Sequence, residues 1–534
     1  MSRKSPAAIF GSQSIGAVII PDELRESVQT LISASDKHML HADAKRLFLE
    51  DGVGWDATYD IDYKSRKQAA RHSERDGTAF VSIALPAHYS AIYSVLDHTR
   101  IRLGPEWNVD IVFDWGAGTG TYVFQQSGSD APEYARLINS TINKYVGIDK
   151  RQGLVSIGKR VLEAVEHGQL NALWQKAIHD EDKVARADGG KTLALSAFLL
   201  SSLSTSLQRK ALVKEMWESG AEVIVLIDHS TRSGFSNIIE ARQYLLNLGR
   251  REVEDLKADD SQIRGCHVVA PCPHDGACPL YHSDSTRLVC GFSQRLQRPQ
   301  FVRKTKHSGT GHEDIGYSYV VIRRGLRPPR PESKVGRIGE IGSRELEKLE
   351  SKAPIAELQL HDESFETSPP MSENSTSTIA PSETADVAYV DAPAIYQQDG
   401  RKDLEDALRL EAFHWPRLIF PPLKRSGHII LDSCTAEGNI ARMTVPKSQG
   451  KQPYYDARKS EWGDIFPHEP KNRPQIRHQP TTAKRQGGKA PATGAGIGKR
   501  SSKLSADSYS HLTNEVTLEK KKMRRERRRS QKAV

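Results

Sequence analysis

The chain has 534 residues, with 76 Lys+Arg, 67 Asp+Glu and a formal net charge of +9. That length accommodates two or three domains of ordinary size, yet a hydrophobic share of only 37% indicates that part of the chain builds no core. Five cysteines are too few for a disulfide-built secreted scaffold, and the absence of a continuous apolar run of about 18 residues points to a soluble, intracellular chain without an ordinary membrane span.

The first 21 residues contain no acid, and Arg3 and Lys4 stand among serines. This is the composition of a mitochondrial presequence, so residues 1–15 are read as a short one, although their apolar positions trace no clean amphipathic helix. Residues 16–105 are expected to be a helical N-terminal region. Next comes Ile111-Val-Phe-Asp-Trp-Gly-Ala-Gly-Thr-Gly120, a short β-run ending in Asp114 and followed by Gly116, Gly118 and Gly120. Glycines there let the backbone turn tightly and approach a ligand that a Cβ would exclude. This D-x-G-x-G-x-G form resembles the first motif of class I S-adenosylmethionine (SAM) methyltransferases.

A second acid, Asp149, ends the next β-run 35 residues on, where it would meet ribose hydroxyls. The interval suggests a long intervening helix. Thr192–Leu200 and Glu222–Asp228 are continuous apolar runs, as buried parallel strands are, and Ile315–Arg324 reads as a last strand. Residues 106–326 are therefore expected to be an α/β domain with a doubly wound sheet, interrupted by a Cys-rich insertion over 262–300. The fold also carries a negative signal. Amino methyltransferases place an Asn/Asp-Pro-Pro-Tyr/Phe motif after the fourth strand, and this chain has Leu193-Ala-Leu-Ser-Ala-Phe-Leu-Leu200. Ser196, Asp228 and His229 are the polar candidates at strand ends, and nothing marks any of them as a base. Cofactor binding through Asp114, Gly116, Gly118, Gly120 and Asp149 is expected; no catalytic residue is assigned.

Cys266, Cys272, Cys278 and Cys290 lie within 25 residues, which in a reducing compartment favours metal ligation over disulfides. Zinc knuckles usually present C-x2-C, which is missing here, and the wider spacing suits the corners of a [4Fe–4S] cube. Two of the cysteines precede proline, as does the last ligand of ferredoxin motifs. Zinc, joined by His267, His274 or His282, and unligated thiols remain alternatives. Basic residues follow at Arg295, Arg298, Arg303 and Lys304, interleaved with Phe292 and Phe301, a pattern suited to phosphate contact and base stacking; a solvated basic loop is the plainer reading.

Residues 327–395 read as an acidic, Ser/Thr/Pro-rich linker. Residues 396–468 read as a C-terminal module, with His428–Asp432 and Ile440–Val445 as the strands of a hairpin. Lys424, Arg425, Lys447 and Lys451 surround it with several aromatics. Residues 469–534 read as a disordered basic tail, with 18 Lys/Arg against 4 Asp/Glu from Lys471 onward.

Cys272-Pro-His-Asp-Gly-Ala-Cys-Pro-Leu280, then Phe-Ser-Gln-Arg-Leu-Gln-Arg-Pro299 and the Asp114–Gly120 motif, resemble the methyltransferase-like assembly factors of the mitochondrial small ribosomal subunit. Trp415–His428, Val445–Lys451 and Asp456–Gly463 are similar to that family's closing module, and Gly16–Leu24 to its opening segment. The resemblance implies a SAM-type fold with methyl transfer lost and a [4Fe–4S] cluster on Cys266, Cys272, Cys278 and Cys290. It further implies a mitochondrial-matrix protein that binds small-subunit rRNA and ribosomal proteins, with SAM as a second cofactor, and neither membrane nor self-association. The competing reading is an active SAM-dependent rRNA methyltransferase of the same subunit.

Overall fold

The computed structural model describes residues 3–49, 65–120, 142–164, 170–254, 263–281, 288–351 and 394–478. The helix expected after Gly120, His282, most of the acidic segment and most of the basic tail lie outside them.

The chain opens with α1 (Pro6–Phe10) and β1 (Ala17–Val18), then α2 (Asp22–Ser33), α3 (Lys37–Phe48) and α4 (Arg66–Leu103). The Asp36 carboxylate caps α3 by accepting from the His38 and Met39 amides, which leaves fewer of the first-turn N–H groups unsatisfied. α4 corrects the composition reading on one point. Its His72–Leu103 stretch is long and apolar enough to cross a membrane, but 89% of its apolar window is buried inside the protein. A helix apolar on nearly every side belongs where both its faces are covered.

The α/β domain follows as β2 (Ile111–Trp115), β3 (Lys144–Ile148), α5 (Gln152–Glu163), β4 (Asn171–Gln175), β5 (Thr192–Ala197), α6 (Ser206–Glu218), β6 (Val223–His229) and α7 (Arg232–Glu254). β7 (Cys266–Ala270), β8 (Phe292–Gln297), α8 (Gln300–Thr305) and β9 (His312–Arg324) complete it. The sheet runs β1-β8-β9-β6-β5-β2-β3-β4, and β7 also pairs with β9. β2 to β6 are mutually parallel, whereas β9 is antiparallel to β6, β7 and β8. Alternate strand residues face opposite layers: Val112 and Leu195 pack with α2–α5, while Phe113 and Ala194 pack with α6 and α7. Helices on both faces of a mostly parallel sheet make the doubly wound fold that the sequence predicts.

Residues 327–351 differ from the linker expectation. Asp275 and Glu411 hold Arg327 and Arg337, and α9 (Glu340–Glu350) packs against the C-terminal module. The module contains α10 (Ala394–Ala412), β10 (Arg417–Leu418), β11 (Leu423–Lys424), β12 (His428–Cys434), β13 (Ile440–Pro446), α11 (Lys451–Lys459) and β14 (Gln475–His478). β12 and β13 form the expected antiparallel hairpin, and β14 extends their sheet into residues assigned to the tail. Residues assigned to a presequence are built into the fold. The Ser5 hydroxyl donates to Asp456 at 2.6 Å, and Ala7 is buried with Trp415 and Ile465.

Candidate functional site

The glycine-rich turn lies at the carboxyl end of β2, the edge where open α/β sheets bind ligands. Gly116, Gly118 and Gly120 all have positive φ, a region that a side chain with Cβ rarely adopts. Asp114 is buried and accepts from the Tyr145 hydroxyl at 2.8 Å. Burial pushes its carboxyl up to about 7, against the hydrogen bond from Tyr145, with Asp149 adding to the rise. The sign of the effect on folding follows from that direction. The folded state binds this proton more tightly than the unfolded chain, so folding is least penalised below the ordinary value of 3.8. The penalty grows as pH rises and is complete above about 7. Asp114→Asn is therefore expected to flatten the fall in thermal stability across that window, as read by calorimetry over a pH series.

Asp149 stands at the end of β3, as the ribose-binding acid should, but it is engaged. Arg151 donates from Nε to Oδ1 at 2.9 Å and from Nη2 to Oδ2 at 2.5 Å, and the Gly118 amide donates to Oδ2 at 2.8 Å. A ribose must displace the arginine to reach this carboxylate. Thr119 Oγ1 and Ser196 Oγ are buried at the same edge without partners, and such orphaned groups suit a polar ligand. The cradle, the acid and these hydroxyls fit the sugar and amino-acid ends of SAM.

Aromatic rings gather at the end of β5. Phe198 takes the place of the missing polar motif, with φ of 60°, and His88 stacks on it at 4.0 Å while His229 lies 4.8 Å away. Positive φ at a bulky residue stores strain that its surroundings must impose. Asp228 is fully buried and accepts from Ser201 Oγ at 2.7 Å, the His229 amide at 2.9 Å and Asn237 Nδ2 at 3.3 Å. Three of its roughly four acceptor sites are thus already in use.

The cysteines fall into two groups. Cys272, Cys278 and Cys290 line one cavity together with Cys434, which arrives from β12 of the C-terminal module. Burial pushes the Cys278 thiol up to about 12, with Cys272 adding to it. Cys290 and Cys434 are raised as well, by burial first and then by the neighbouring thiols. Cys266 stands apart, a correction to the expected quartet. Its thiol contacts the Leu245 carbonyl at 3.4 Å and packs among the apolar residues beneath α7. The reason is geometric: Cys266 begins β7, and an extended strand rising about 3.3 Å per residue sets it roughly 13 Å from Ala270 at the strand's other end, before the turn that carries the remaining cysteines.

Arginines hold the cysteine loop. Arg242 donates to the His274 and Gly276 carbonyls at 2.7 and 2.8 Å, and Arg417 donates to the Pro271 carbonyl at 2.5 Å. Asp275 accepts from Arg327 Nε and Nη2 and from the Val268 amide, each at 2.8 Å. His274 Nε2 lies 3.3 Å from Cys434 Sγ. Arg242 and Arg417 line the cavity with the four thiols, and no carboxylate does so among the described residues. This donor set fits an anionic thiolate-ligated cluster: soft sulfur ligands on the inside, with guanidinium charge to offset the product.

A single zinc ion needs thiolates about 3.8 Å apart, from its 2.3 Å bonds in a tetrahedron. Among the described residues, the only three ligating side chains gathered within 4.8 Å are Asp43, His72 and Asp76, and Arg46 and Arg75 hold those carboxylates. The cysteine cavity itself is small, ≈ 20 Å³, so donor chemistry carries the fit and not the size of the void.

The predicted basic residues also divide. Arg298 bonds Glu313 with Nε at 2.7 Å, and Arg295 pairs with Asp314 at 2.8 Å; both serve the β8–β9 pair. Lys451 meets Glu345 at 4.0 Å. Arg303 and Lys304 are exposed on α8. Lys424, Arg425 and Lys447 are exposed at one end of the module's sheet, where the Lys447 amide bonds the Gly427 carbonyl and its ammonium lies 5.8 Å from the Tyr454 ring. These last five make no ion pair among the described residues.

Comparison with known proteins bears on the family of the chain. The chain is 30% identical over 417 residues to Rsm22-cox11 tandem protein 2, mitochondrial, of Schizosaccharomyces pombe, covering 74% of this chain and 43% of that protein. It is 20% identical over 404 residues to the human Ribosome assembly protein METTL17, mitochondrial, covering 75% and 64% respectively. The chain thus spans less than two thirds of either relative. Among solved structures, the precorrin-6y C5,15-methyltransferase of Geobacter metallireducens is similar at a TM-score of 0.23 and 11% identity, over 43% of this chain and 89% of that one. The family described as Mitochondrial small ribosomal subunit Rsm22 matches residues 74–344 and 370–467, both cysteine-bearing parts included. With more than half of its length matched, the chain belongs to the Rsm22 family.

Proposed function

We propose that this protein is an assembly factor of the mitochondrial small ribosomal subunit, working in the matrix, that grips immature small-subunit rRNA and contacts ribosomal proteins without methylating RNA. The observation that carries this reading is the joining of Cys434 on the module to three cysteines on the α/β domain. A [4Fe–4S] cluster on Cys272, Cys278, Cys290 and Cys434 would supply a covalent clamp between the two parts and set the angle between their basic surfaces. Arg242, Arg417 and Arg327 hold the loop and offset charge. S-adenosylmethionine, if bound at Asp149 and the glycine turn, would order that edge. With Phe198 and His88 stacked at the end of β5 and Asp228 accepting three hydrogen bonds, no residue among the described ones at this edge stands out as a base.

The test uses the cluster-loaded full chain with small-subunit rRNA. Replacing Lys424, Arg425 and Lys447 together by alanine should weaken binding at least tenfold and lower the dependence of log affinity on log salt by roughly 2–3, since each phosphate contact contributes about 0.7–0.9 to that slope. Unchanged affinity and slope would remove the module from the RNA interface. Labelled methyl appearing in that RNA from SAM would replace the reading with an active methyltransferase.

A further inference from the structure

A cleft of ≈ 520 Å³ lies between the end of α4, the end of β9 and α10, with His267 of β7 in its lining. Nothing in the assembly-factor reading uses it. Five Arg or Lys side chains and three Asp or Glu side chains line it. Most of the charges are spoken for: Arg323 pairs with Glu222 at 2.7 Å, Lys402 with Glu106 at 3.9 Å, and Arg409 with Asp406. Arg324 is held by the Trp217 and Ala221 carbonyls.

Arg102 is the exception. It is 5% exposed, lies 4.9 Å from the Phe413 ring centroid, and makes no hydrogen bond or ion pair among the described residues. Its guanidinium is pushed down to about 9 by burial first and then by Arg417; Arg327 is a further cation acting in the same direction. A buried cation whose near neighbours include other cations is costly, and an anion beside it removes that cost.

His267, 4% exposed, lines the same cleft and stands edge-on to Phe413 at 5.7 Å. Its Nδ1 lies 2.8 Å from the Gly325 carbonyl, and Nε2 has no partner. A carbonyl only accepts, so Nδ1 carries the proton and Nε2 of the neutral ring presents a lone pair that needs a donor. The mouth is apolar, with Leu326 75% exposed and Ile263 and Leu410 beside it.

We infer that this cleft binds a small organic anion: a phosphate or carboxylate head against Arg102, a hydroxyl or amine donor toward His267, and an apolar body between Leu326 and Leu410. Such a ligand supplies what both buried polar groups lack and covers the exposed rim. Its size matches the 300–1,000 Å³ of ordinary small-molecule sites. An RNA strand suits the cleft less well, because backbone phosphates would have to leave the surface to reach a side chain as buried as Arg102.

The probes are phenyl phosphate and 3-phenyllactate, titrated into the full chain by isothermal calorimetry with 3-phenylpropionate as the hydroxyl-free comparison. Saturable binding of at least one probe is expected, the preferred one identifying the head group, with 3-phenyllactate binding more tightly than 3-phenylpropionate. Arg102→Met should weaken the better probe at least tenfold. Leu326→Glu places an acid at the exposed mouth, where folding is not at stake, and should weaken it severalfold at unchanged melting temperature. The inference is overturned if neither probe saturates, or if Leu326→Glu binds as the parent does; the second variant decides even where Arg102→Met fails to fold. Retained rRNA affinity in both variants separates this outcome from the assembly-factor reading.

Discussion

Cys434→Ser is expected to leave the protein almost free of iron and acid-labile sulfide, whereas Cys266→Ser should stay loaded. The two residues exchange the roles that sequence spacing suggests. Cys434 lies 144 residues beyond Cys290 in the chain, yet it shares a cavity with Cys272, Cys278 and Cys290, while Cys266 is turned into the core beneath α7. Cluster assembly needs four thiolates facing one volume, and a serine hydroxyl is a far poorer ligand for iron than a thiolate. Iron and sulfide per chain, measured after anaerobic purification, read the difference directly. Cys266→Ser changes a half-buried thiol whose contact to the Leu245 carbonyl a hydroxyl can keep, so its fold should survive. Loss of iron in Cys266→Ser together with full loading in Cys434→Ser would return the ligand set to the consecutive quartet. Full loading of both would argue against a four-cysteine cluster in either form.

Asp275→Ala should have the next largest effect, a loss of roughly 2–3 kcal/mol, allowing for the 31% of its side chain that water reaches. Its carboxylate takes two hydrogen bonds from Arg327 and one from the Val268 amide, so it ties the cysteine loop to the residues entering the C-terminal module. Removal takes the carboxylate from a mostly buried guanidinium, which keeps only the Phe413 and Val268 carbonyls, and leaves the Val268 amide without its acceptor. The melting temperature should fall by roughly 4–12 °C, the scale for a domain of about 200 residues. The Arg327 hydrogen bonds hold the Asp275 carboxyl below its usual range against the opposing effect of burial. Its stabilisation is accordingly present above the unfolded carboxylate pKa and disappears as pH falls through the lower folded value. The gap between parent and Asp275→Ala should narrow in acid; a gap constant with pH would mean that the ion pair is not the source.

The α/β sheet was legible because its signals are local. The apolar runs of β2, β5 and β6 are continuous since both faces of a central strand are buried, and positive φ at Gly116, Gly118 and Gly120 requires the residue type found there. The hairpin of β12 and β13 was legible for the same reason. Less so were α9, whose charged residues suggested a linker, and β14, which lies among residues assigned to the tail. Both owe their order to packing and pairing against the module, which composition does not encode.

The site separates along the same line. Four cysteines in a short window raised the expectation of a metal centre, and no feature common to Cys272, Cys278, Cys290 and Cys434 in the sequence marks which thiols share a cavity. By itself, the sequence determined the family, the doubly wound sheet and the identity of Cys272, Cys278 and Cys290 as a local group. Only the tertiary structure brought Cys434 into their cavity, turned Cys266 away, laid Arg151 on Asp149 and left Arg102 buried with no acid beside it among the described residues. Strand periodicity and turn chemistry act over a few residues and can be read in line. Contacts between a loop and a hairpin more than a hundred residues apart depend on how β9 and α7 place one against the other, and no local pattern records that distance.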